Sequence, residues 1–160
     1  MAIGLDQAKV IPVRTEILFA SIIALIPNFV FAGVWGNPSP SSFGSVEVVV
    51  ADDASDGCWT NLGEVKTYAE DILRNLNYSV PNSNAPGTFL IGVTSERASN
   101  GKCYGSVEIQ MYKAHEIDGL FGFLEVAETG GIFVNHDNAN IITLNYVKKL
   151  TDELRDKIKN

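Results

Sequence analysis

Three carboxylates, a cysteine and a tryptophan fall within eight positions in Asp52-Asp53-Ala54-Ser55-Asp56-Gly57-Cys58-Trp59. Clustered acids supply what a hard cation needs, several carboxylate oxygens, or what general acid–base chemistry needs, two carboxyls held at different proton affinities. A calcium loop starting at Asp52 requires oxygen ligands at its third and fifth positions, glycine at the sixth and glutamate at the twelfth. Here the third is Ala54, the fifth Asp56, the sixth Gly57 and the twelfth Gly63. Two ligands are missing, and the acids suit a strand-to-helix turn equally well, because aspartate favours turns and sits well beside the exposed N–H groups of a helix start. Asp52, Asp53 and Asp56 therefore remain weak candidates for a cation site, and no metal or cofactor is expected.

The other reactive side chains do not assemble into a known set. His115 and His136 are the two histidines, each followed by an acid, Glu116 and Asp137. The first falls toward a hairpin end and the second ahead of the last helix, where the two have the chance to approach, but neither sits in a metal-binding spacing. No nucleophile elbow, phosphate-binding glycine loop or dinucleotide fingerprint occurs. Cys58 and Cys103 are the only cysteines. They lack the basic or metal-ligand neighbours of a reactive thiol and are expected to pair with each other.

The elements that position these residues follow from periodicity. Residues 17 to 32 carry no charge, and the run is short for a bilayer span and broken by Pro27-Asn28. It reads as the apolar core of a secretory signal, with Val30 and Ala32 small enough to precede a cut. A retained membrane anchor is the competing reading. Residues 33–44 are rich in Gly, Pro and Ser and read as a flexible leader, with Trp35 and Phe43 as the exceptions that could dock on the domain or on a partner. The single domain is expected over residues 45–160.

Within it, residues 45–51 read as a buried strand, and Val65, Tyr68, Ala69, Ile72, Leu73 and Leu76 line one face of a helix over about residues 60 to 77. Asn61 and Glu64 have the spacing of a capping box. Residues 88–94 form the next strand, Asn100-Gly101 and Asp118-Gly119 mark hairpins, and Gly130-Gly131 is read as a turn between strands at 120–127 and 132–134. A C-terminal helix starts near Asn138. The order β-α-β-β-β-β-α implies an α+β, two-layer sandwich: a mainly antiparallel five-stranded sheet with two helices packed on it.

The strand from Cys103 alternates, so that Tyr104, Glu108, Gln110 and Tyr112 share a wet face. With Trp35 they are the candidate binding residues, since tyrosine and tryptophan provide contact area at low entropic cost. The formal charge of −7 and the absence of a basic cluster argue against nucleic acid. The function expected from these features is that of a small exported accessory protein, periplasmic or secreted, acting by contact with a protein partner without catalysis. The alternatives are a small extracytoplasmic hydrolase using Asp52, Asp53 and Asp56, with His136, and a membrane-tethered envelope subunit retaining residues 17–32.

Overall fold

The computed structural model describes residues 32–159; the expected signal or anchor, residues 1–32, lies outside the described residues except for Ala32. The order is β1 (Ala32–Val34), α1 (Pro40–Phe43), β2 (Val46–Ala54), α2 (Leu62–Asn75), β3 (Gly87–Arg97), β4 (Cys103–Ile117), β5 (Leu120–His136) and α3 (Asn140–Lys159). The strands form one sheet in the order β1-β5-β4-β3-β2. Only β2 and β3 are parallel, joined through α2; the other neighbours are antiparallel. The α+β two-layer architecture is as the alternation of elements implies.

The apolar stripes explain the layering. Val65, Ala69 and Leu73 of α2, and Val147, Leu150 and Leu154 of α3, are fully buried. They meet Phe89, Ile91 and Val93 of β3 and Val107, Ile109 and Met111 of β4 in a single core. Burial of each such aliphatic side chain contributes roughly 1.5–3 kcal/mol. Both long helices thus cover one face of the sheet.

Several expectations need correction. Residues 33–44 do not form a flexible leader: Ala32–Val34 pairs with β5 at Thr129, Glu128 and Ala127, and Phe43 is 2% exposed. The Phe43 ring lies where a side chain on Gly87 would project and meets the Tyr78 ring edge-on at 6.4 Å. The buried Tyr78 hydroxyl donates to the Pro38 carbonyl. One deeply buried aromatic and a short ladder anchor a segment whose composition alone reads as disordered.

Gly130-Gly131 is not a turn. It lies inside a continuous strand of 17 residues, opposite Glu108 and Val107, and the fifth strand comes from residues 32–34 instead. The capping box is also absent in its usual form: Asn61 Nδ2 donates to Glu64 Oε2 at 3.3 Å, and Asn61 Oδ1 accepts from Trp59 Nε1 at 2.9 Å.

Turn chemistry sets the hairpins. Asp118 and Gly119 both take positive φ, 52° and 81°, the backbone of a two-residue loop that matches strand twist. Because β4 pairs with β3 only as far as Lys113, residues 114 to 123 continue as a two-stranded ribbon beyond the sheet.

Cys58 and Cys103 form a disulfide with a Cα–Cα distance of 5.8 Å. The loop it anchors is also held by Arg97, whose guanidinium donates to the carbonyls of Asp56 at 3.0 Å and Gly101 at 2.6 Å. Ala139 N–H donates to the Cys58 carbonyl at 2.7 Å. This end of the molecule ties the start of α2 to the sheet and to the start of α3.

Candidate functional site: the open face of the sheet

The sheet face opposite the helices is set by strand alternation. Register pairs Glu47 with Thr88, Thr88 with Tyr112, Gly92 with Glu108, and Glu96 with Tyr104. It continues from Gln110 to Glu128 and, after a bulge, from Tyr112 to Glu125. Side chains at these positions stand on one surface. Tyr104, Glu108, Gln110 and Tyr112 are therefore on the same face, as their alternation predicts.

Trp35 joins them. Gly33 pairs with Glu128, and the Trp35 ring lies over Gly33, at 2.3 Å from where a Cβ would stand. Its indole Nε1 donates to the Glu125 carbonyl at 3.0 Å. Tyr112 meets the Phe123 ring edge-on at 5.3 Å. A shallow depression of about 250 Å³ opens among Gln110, Tyr112, Phe123 and Glu125.

The polar network is acidic. Gln110 Nε2 donates to Glu108 Oε1 at 2.8 Å and to Glu125 Oε2 at 3.4 Å. Tyr104 donates its hydroxyl to Glu96 at 2.8 Å, and that hydrogen bond raises the Tyr104 pKa. Partial burial, then the neighbouring Glu128 and Glu108 carboxylates, raise the pKa of Glu125 above the ordinary carboxylate value.

In the window between its unfolded and folded pKa values, the folded protein binds more protons at Glu125, so stability falls as pH rises through that window. Glu125→Gln is therefore expected to be more stable than the parent at about pH 8, by a modest amount because solvent screens the site. The difference should vanish below the ordinary glutamate pKa. Thermal unfolding across pH checks this, and a pH-independent difference would assign the effect to packing.

The other candidates do not converge. Strand β2 continues to Ala54, so Asp52 and Asp53 lie inside it and project to opposite faces. Asp52 Oδ1 accepts from the Ala54 N–H at 3.0 Å, while Asp56 stands in the turn with φ of 53°. His115 and His136 do not approach one another: His136 pairs with Cys103, and His115 lies twelve residues along β4 from it, about 40 Å away. No group of three or more metal-ligating side chains occurs among the described residues.

Sequence reasoning missed Glu125, Glu128 and the exposed end of the ribbon, where Leu120, Phe121 and Phe123 are 75%, 82% and 76% exposed. The signal for Phe121 and Phe123 was their shared parity. Their place beside Tyr112 depends on the bulge in β5.

No family model matches the chain, and no curated protein matches it. Among solved structures it is similar to a DUF4136 family protein from Bacteroides thetaiotaomicron, with a TM-score of 0.53 and 8% identity over 82% of this chain and 97% of that one. It also resembles the PelC dodecamer from Paraburkholderia phytofirmans, with a TM-score of 0.46 and 12% identity over 80% and 97%. The first likeness shows a shared fold and carries over no residue's role.

Proposed function

We propose that this chain is an exported accessory protein of the cell envelope that binds a protein partner through the open sheet face and does no catalysis. The observation that carries the reading is the uncovered face itself. Trp35, Tyr104 and Tyr112, from separate parts of the sequence, stand on the side of the sheet that none of the described helices packs against. Exposed aromatic surface continues along the ribbon through Phe123 and Phe121, and contiguous patches of this kind mark interaction sites. The disulfide and the uncharged run at 17–32 support export. Among the described residues no helix is long and apolar enough to cross a membrane.

A photoreactive phenylalanine analogue at position 112, expressed in the native envelope, is expected to give one discrete adduct, while the same group at Asp71, exposed on α2 in the helical layer, gives none. Tyr104→Ser with Trp35→Ala should weaken capture about tenfold, and Asp52→Asn with Asp56→Asn, off the open face, should leave it unchanged. Loss of function in the Asp variant alone would favour the hydrolase. An intact mass beginning at Gly33 is expected for the mature protein; a mass retaining residues 17–32 would favour the tethered subunit.

A further inference from the structure

We infer that the partner of this face is a cationic protein segment, bound through arginine side chains. The inference rests on the reading of the open face as the binding surface and adds the chemistry of what binds there.

The open face of the sheet carries acids without Lys or Arg, whereas the helical layer carries both signs. Six carboxylates stand on the open face of the sheet, Glu47, Asp53, Glu96, Glu108, Glu125 and Glu128, and the basic strand residues point elsewhere. Arg97 is register-paired with Cys103 on the helical side, Lys113 donates to the Ser42 carbonyl at 2.8 Å, and Lys102 pairs with Asp137 at 2.6 Å. Seven of the chain's 12 Lys and Arg lie on α2 and α3. None of the ion pairs among the described residues involves an open-face acid.

The rings supply an independent argument. Tyr112 is register-paired with Glu125, and Trp35 bonds that glutamate's backbone carbonyl, so aromatic and glutamate positions are neighbours on this face. A guanidinium is the group that uses both: it accepts paired hydrogen bonds from no one but donates them in a fork to a carboxylate, and its plane stacks on aromatic faces. A like-charged carboxylate set with no internal counterion gains most from such a partner.

The test uses a fluorescent ten-residue oligoarginine and the full mature chain, read by anisotropy at low and physiological salt. Binding is expected, weakened about tenfold by Glu108→Gln with Glu125→Gln and Glu128→Gln. A control triple, Glu64→Gln with Asp71→Asn and Glu153→Gln on the helical layer, changes net charge equally and should alter binding less than about twofold. Trp35→Ala should also weaken oligoarginine more than oligolysine.

No binding, or equal losses in both triples, overturns the inference by leaving only bulk charge. Salt-sensitive self-association without peptide, abolished by the open-face triple, assigns the face to a second copy and also overturns it. The parent reading stands or falls separately at position 112. An adduct there with a partner lacking a basic segment removes the proposed chemistry and keeps the binding face. An absent adduct with retained oligoarginine binding removes the envelope partner instead.

Discussion

Replacing Cys58 and Cys103 together by Ala is expected to lower the unfolding free energy by about 4 kcal/mol, the chain-entropy value for this closed loop. The sequence separation of 45 residues spans the whole of α2 and β3, so the unfolded chain regains a large conformational space when the bridge is lost. Both cysteines are fully buried, and the released loop is the one that Arg97 and the Ala139 N–H hold in place. Alanine leaves a small cavity at each sulfur without stranding a polar hydroxyl. Denaturant titration of the oxidised parent and the double variant measures the difference. The midpoint should fall while the slope rises slightly, because the unfolded state expands. A loss below about 1 kcal/mol would mean that the local hydrogen bonds, and not the bridge, hold this corner.

Gly105→Ala is expected to destabilise by about 3 kcal/mol, near the upper end for overpacking. A Cβ at Gly105 would stand 2.1 Å from the Thr94 carbonyl oxygen and 2.7 Å from Ser95 Cα. Those are backbone atoms of β3, held in the ladder opposite Ser106 and Gly105, and they have no rotamer through which to escape. The neighbouring Gly92→Ala is the control. Its Cβ would find the Glu108 carbonyl at 3.7 Å, an ordinary contact, and the reduced entropy of the unfolded chain makes that change neutral or stabilising by up to about 1 kcal/mol. Thermal unfolding of the two variants should therefore shift in opposite directions or at least differ by several degrees. Equal shifts would show that strand propensity, and not the close approach at Gly105, sets the outcome.

The glycines show where sequence reading stops. Gly101 and Gly119 carry the positive φ that an Asn-Gly or Asp-Gly hairpin demands, and their neighbours announce it. Gly130 and Gly131 look the same in the chain, yet they sit inside β5, where a Cβ at Gly130 would come within 2.6 Å of the Val107 carbonyl oxygen. A glycine required by close approach of another strand has no local signature. The same limit explains the expected strand break that did not occur.

Residues 33–44 fail for a related reason. Their Gly, Pro and Ser content measures the entropy of ordering, but the offsetting burial of Phe43 depends on a niche formed by Gly87, Tyr78 and Lys113, all more than 30 positions away. Likewise, Asp52 and Asp53 read as turn residues because Asp is a poor strand former, whereas nine consecutive pairings with β3 extend β2 through them. Tertiary pairing outweighs a weak local preference.

What the sequence by itself determined is the set of features governed by neighbours along the chain. The two amphipathic helices, the hairpin turns, the parity that puts Tyr104, Glu108, Gln110 and Tyr112 on one face, and the pairing of the only two cysteines all follow from spacing. The tertiary structure alone decided which strands became neighbours, and hence that Trp35 lies beside Glu125, that Phe123 lies beside Tyr112, and that carboxylates from four strands share an open face free of Lys and Arg. Those relations come from register and a bulge in β5, which are set by the summed packing of the whole sheet and leave no trace in any short stretch of residues.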